Sequence, residues 1–162
     1  MSSARAAKVA IAAILLAAGC ADRRLTARAH EPQRKCTVRP DGKAILCGGE
    51  TFASFDCQIR FHAGCTTLSL RYADGQVARL YEAPGDPKFD KAADATVASD
   101  GSRVWFLEIE GPFLARQWRE YDVWSGVIKN MSPAEAGQVD AAIARGAAVR
   151  LGTEEQPAPR VQ

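Results

Sequence analysis

Four cysteines crowd one stretch of the chain: Cys36, Cys47, Cys57 and Cys65. Thiols at this density either ligate a metal or pair with one another. Zinc knuckles place cysteines a few residues apart, and no Cys-x-x-Cys occurs here, so no metal is expected. An even cluster of thiols in an oxidising compartment forms disulfides. Three pairings are open. Cys36 with Cys47 and Cys57 with Cys65 are expected, because each pair flanks an expected turn. Each bridge closes a short loop and contributes on the order of 3 kcal/mol.

Other groups that could do chemistry are sparse. The histidines are His30 and His62, and a hydrolytic triad would depend on His62. No Gly-x-Ser-x-Gly elbow accompanies it. The run His62-Ala63-Gly64-Cys65-Thr66-Thr67 resembles the nucleophile loop of L,D-transpeptidases at Gly64-Cys65. The arginine that family places two residues past the cysteine is Thr67 here, and no second His-Gly segment lies upstream. Glu108 and Glu110 share one strand face by the two-residue period. Paired carboxylates can serve acid–base chemistry or calcium, but without a denser oxygen cluster they read as a wet sheet face. Gly48-Gly49 lacks the spacing and the lysine of a phosphate loop and reads as a turn. No catalytic residue, metal ligand or cofactor is predicted. Trp105, Phe106, Phe113, Trp118, Tyr121 and Trp124 are concentrated in one region. Core and cross-strand packing is expected of them. Ligand stacking on Trp105, Trp118 and Trp124 is the alternative.

The N-terminus carries a different signal. Arg5 and Lys8 precede ten uninterrupted apolar residues, 9–18. As a helix that run spans about 15 Å, half of a hydrocarbon core of about 30 Å. It matches the apolar region of a secretory signal. Leu16-Ala17-Ala18-Gly19-Cys20 follows and resembles the lipobox of bacterial lipoproteins, with Leu16 one place further back than that pattern prefers. The resemblance covers residues 1–20 only. It implies a signal peptide over residues 1–19, lipid on the Cys20 thiol, cleavage before Cys20 and acylation of the new amine. Ala21 stands where an aspartate would resemble the inner-membrane retention signal, so the outer membrane is favoured. An ordinary signal peptide cut at an Ala-x-Ala site is the competing reading.

Removing residues 1–19 takes away Arg5 and Lys8 and no acid, leaving 143 residues with 19 Lys plus Arg against 19 Asp plus Glu. No field remains to recruit nucleic acid. Residues 20–35 hold five basic and two acidic residues and few large apolar ones, which reads as a disordered basic tether beside the anchor.

These groups need elements to position them. Asp41-Gly42, Asp74-Gly75 and Asp100-Gly101 each stand just before a strand-like run. Glycine readily takes φ > 0 and aspartate tolerates it, so the pairs predict tight hairpins. The third segment, with Tyr121-Asp122-Val123-Trp124 downstream, resembles one blade of a β-propeller. Four blades of about 40 residues each would exceed the mature chain. Strands are expected near residues 36–39, 43–47, 55–61, 66–72, 76–82, 103–110, 114–123 and 126–129. Residues 104–109 are apolar on both faces apart from Glu108, which predicts a central strand. Residues 83–95, with Pro84, Gly85 and Pro87, read as a loop with one helical turn. Ser132-Pro133-Ala134-Glu135 predicts a capping box opening a helix over residues 133–150, with Val139, Ile143 and Ala147 as its apolar stripe.

The expected fold is therefore mainly β: a small antiparallel meander, a single propeller-blade-like sheet, with one C-terminal helix. The disulfide-bearing domain covers residues 36–152, and residues 153–162 form a disordered tail. The expected role is a membrane-anchored envelope lipoprotein, a non-enzymatic module that meets a protein or envelope component. Small-molecule or glycan binding on the tryptophans is the alternative, and an envelope enzyme comes third.

Overall fold

The computed structural model describes residues 35–58 and 64–152. The leader, Cys20, nearly all of the tether, both histidines and the tail over residues 153–162 lie outside them.

The three Asp-Gly pairs make the expected turns. The amides of Gly42, Gly75 and Gly101 donate to the carbonyls of Arg39, Tyr72 and Ala98 at 2.8, 2.9 and 2.8 Å. Each glycine has φ between +71° and +86°. Asp41, Asp74 and Asp100 accept from the amides of Lys43, Gln76 and Ser102, each at 2.9 Å. This is a type I turn closed by a left-handed glycine, a hairpin turn whose twist suits its strands.

The first sheet is a meander of β1 (Cys36–Val38), β2 (Ala44–Cys47), β3 (Glu50–Gln58), β4 (Thr67–Tyr72) and β5 (Val77–Glu82). The second contains β6 (Lys91–Ala98), β7 (Arg103–Glu110), β8 (Ala115–Asp122) and β9 (Ile128–Asn130). Helix α1 (Pro133–Ala144) follows, and β10 (Ala148–Arg150) returns beside β6. All pairings are antiparallel. The chain is thus mainly β with one C-terminal helix, but its meander occupies two sheets rather than one blade.

Alternate residues of both sheets build one apolar core, including Ile45, Leu68, Leu70, Val97, Val104 and Phe106. Tyr72 links the layers by polar contacts as well. Its hydroxyl donates to the Val123 carbonyl at 2.9 Å and lies 2.7 Å from the Tyr121 hydroxyl. A bridge between Cys65 and Ala92 joins the sheets along the backbone. The opposite face of β7 carries Leu107 and Ile109, packed with Ala93 and Trp118. Strand β7 is the middle strand of its sheet and is apolar on both faces, as its sequence predicts.

Three expectations need correction. Residues 83–95 are not a loop throughout, because β6 starts at Lys91. Half of its residues are alanine, yet it pairs with β7 on one side and β10 on the other. Burial there overrides weak strand propensity. Strand β3 begins at Glu50, directly after the Gly48-Gly49 turn, not at residue 55. The helix ends at Ala144 rather than 150, because Gly146 adopts φ +69° and turns the chain into β10. Its start is as expected. The Ser132 hydroxyl accepts from the Glu135 amide, and the Glu135 carboxylate accepts from the Ser132 amide at 2.7 Å. Val139 is buried, Ile143 is half-buried, and Ala147 lies exposed beyond the helix.

Candidate functional site

The structure joins Cys36 to Cys47 and Cys57 to Cys65. Cys36 and Cys47 are direct partners across β1 and β2, with Cα atoms 4.1 Å apart. Cys57 ends the core-facing part of β3, and Cys65 sits at the bridge between the sheets. Neither sulfur of that pair is available as a nucleophile.

The three tryptophans do not converge. Trp105 lies on the outer face of its sheet and donates its indole N–H to Glu120 at 2.8 Å. Glu120 also meets Lys129 at 3.3 Å and Arg103 at 3.9 Å. Trp118 packs on the small cluster of Ala93, Leu107 and Ile109. Trp124 lies against Phe52 of the other sheet, ring centres 5.0 Å apart. All three are half-buried. Phe113, expected in the core, is instead almost fully exposed.

Grooves open to solvent among the described residues include the following two. One, of about 270 Å³, lies between the sheet edges and is lined by Val77, Ala78, Arg79, Tyr121, Gly126 and Ile128 among others. The second, of about 190 Å³, lies beside the Cys57 to Cys65 bridge, where Asp94 takes φ +51° at a bulge in β6. Arg150 sits 3.5 Å from the Asp94 carboxylate. No tryptophan lines either groove.

Titratable groups do converge at one end of the sandwich. Strand alternation puts Glu108 and Glu110 on the face of Val104 and Phe106, so the inner surface of β7 changes from apolar to acidic along its length. Arg119, across from Phe106, donates to Glu108 at 2.6 Å and also bonds Asn130. Asp90 is buried and accepts from the Gly111 amide at 2.7 Å. Gly85 lets that carboxylate lie against the backbone, since a Cβ there would meet the Asp90 oxygen at 2.7 Å. Tyr81 approaches from β5. It is 4 % exposed, and its hydroxyl has no hydrogen-bond partner among the described residues. Burial pushes the Tyr81 phenol up, and the charges of Glu110, Asp90 and Glu108 push it further. Glu110 is raised as well, first by desolvation, then by the charge of Glu108 and a hydrogen bond with it, then by Asp90. Arg119 opposes this. Sequence spacing identifies the glutamate pair but not Tyr81, Asp90 or Arg119, which come from other elements. Among the described residues no cluster of three His, Cys, Asp or Glu side chains is arranged to hold a metal.

The raised carboxyl has a stability consequence. A carboxyl raised in the folded state favours its protonated form, so its contribution is complete below the unfolded pKa and is lost as pH rises through the folded value. Glu110→Gln imitates the protonated form. It should therefore melt above the wild type at pH 7 and level with it at pH 3, by calorimetry. A lower melting temperature at pH 7 would contradict the charge balance described.

No protein-family model matches the chain, and neither a curated protein nor a solved structure shows significant similarity to it. What the molecule defines by itself is a small, disulfide-bearing, two-sheet antiparallel domain with a carboxylate cluster at one end.

Proposed function

We propose that the chain is an envelope lipoprotein, held at a membrane by acyl chains on Cys20, with a disulfide-bearing domain that acts as an interaction module rather than an enzyme. The observation that carries this reading is Cys20 itself, placed after Ala18-Gly19 at the end of an apolar run too short to span a bilayer. The paired cysteines support export, since bridges of this kind persist outside the reducing cytoplasm. Ala21 favours the outer membrane. Each buried methylene contributes about 0.8 kcal/mol, so two or three chains hold a domain firmly. The separation of the three tryptophans counts against a shared ligand-stacking surface.

Radiolabelled palmitate fed to cells tests the anchor. The wild type should carry label and sediment with membranes. Cys20→Ala should carry none and move to the soluble fraction. Equal labelling of the two proteins would end the proposal.

A further inference from the structure

The end of the sandwich that holds the carboxylates also holds Phe113, the most exposed large apolar side chain among the described residues. Strands β7 and β8 are joined by Gly111-Pro112-Phe113-Leu114, where Phe113 is 95 % exposed and Leu114 46 %. Phe89, 38 % exposed, directly precedes the aspartate that grips Gly111. Leu114 adopts φ +53°. That conformation is strained for a residue with a side chain, and such strain concentrates at functional contacts. The turn is held in place. The Leu114 amide donates to the Gly111 carbonyl at 3.0 Å, and the Gly111 amide to Asp90 at 2.7 Å. An apolar tip fixed in this way loses little freedom on binding.

Among the described residues, the base of the hairpin is short of positive charge. The cation that acts on Glu110 there is Arg119, which is already committed to Glu108 and Asn130. Arg116 and Lys91 both pair in register with Ile109 and so belong to the opposite face. The Tyr81 hydroxyl, buried and without a partner among the described residues, senses the charges of the same carboxylates. Buried hydroxyls normally find partners, and a donor arriving between the carboxylates would supply one.

We propose that this end is a docking surface for a partner protein that presents a lysine or arginine side chain beside an apolar pocket. Phe113 and Leu114 enter the pocket, and the partner's cation pairs with Glu110 next to Tyr81. An anionic bilayer fits less well, because the unbalanced carboxylates stand directly behind the apolar tip. The inference rests on the interaction-module reading and names its surface.

The test is a titration of the isotope-labelled full chain, followed by NMR, with three acetylated and amidated tripeptides: Leu-Arg-Leu, Leu-Gln-Leu and Leu-Glu-Leu. Phosphatidylglycerol vesicles form a fourth arm. The arginine peptide should shift Gly111, Leu114 and Glu110. The glutamine peptide should bind about fivefold more weakly, the loss expected for one ion pair. Glu110→Gln and Phe113→Ser should each weaken the arginine peptide by about fivefold while melting as cooperatively as the wild type. Silence toward the arginine peptide, equal binding of the glutamate peptide, or shifts produced by vesicles alone would each overturn the proposal. Failure of palmitate labelling at Cys20 would leave this titration unaffected, and a silent titration would leave the anchor unaffected.

Discussion

Serine at all four bridging cysteines should leave the domain largely unfolded at 37 °C. The bridges join residues 11 and 8 positions apart. Chain-entropy arguments give loops of these sizes about 3 kcal/mol each, so about 6 kcal/mol for both. A domain of this size has about 5–15 kcal/mol of stability in total. The bridges also sit where backbone pairing is thinnest. Strand β1 has three residues and one neighbour, so Cys36 to Cys47 fastens a sheet edge. Cys65 forms the backbone bridge to Ala92, so losing the second pair loosens the contact between sheets. Melting of each double variant, followed by circular dichroism, should fall by roughly 10–15 °C, with the Cys57→Ser/Cys65→Ser pair hit harder. A quadruple variant that melts close to the wild type would show that apolar packing alone suffices. This bears on the anchor too. A chain kept in a reducing compartment would forfeit the same stabilisation, which is what the export proposed above would avoid.

The parts of this fold that were readable from sequence are the local ones. An Asp-Gly turn, a capping box and a two-faced apolar strand are each decided within a few residues, and each occurs where the sequence predicts it. Strand β6 was not readable, because its hydrogen bonds and burial come from β7 on one side and, on the other, from β10, which is distant in sequence. The division into two sheets has the same origin. Nothing near Asp90 says that the chain will cross from one layer to the other. At the carboxylate cluster, the period of two exposed the Glu108 and Glu110 pair, while their neighbours arrive from β5, the segment before β6, and β8. Aromatic content misled at one position. Phe113 is the tip of a hairpin, and its exposure depends on the left-handed turn at Gly111 and Leu114.

Alanine at Gly42 should cost about 3–5 kcal/mol, against about 1–2 kcal/mol at Gly75, although the two occupy the same turn. Both have positive φ, +72° and +86°, and both are preceded by an aspartate that accepts the amide two residues on. The backbone strain of alanine is therefore shared. The surroundings differ. A Cβ on Gly75 meets nothing within 4 Å, whereas one on Gly42 lies 2.5 Å from the Arg150 carbonyl oxygen and 2.9 Å from the Leu151 Cα. These are backbone atoms and cannot rotate aside. The same contact region is sealed by the Gly152 amide, which donates to the Asp41 carbonyl at 2.8 Å. Gly101 is the intermediate case, since its Cβ would meet the Ile45 methyl at 2.5 Å inside the core. Denaturant unfolding of the three alanine variants should thus rank Gly42 worst, then Gly101, then Gly75. Equal losses would mean that turn strain, not the closeness of the layers, governs these positions. The ranking separates two demands that one dipeptide meets at once. Every Asp-Gly here turns the chain, but only those at Gly42 and Gly101 also let one sheet close onto the other.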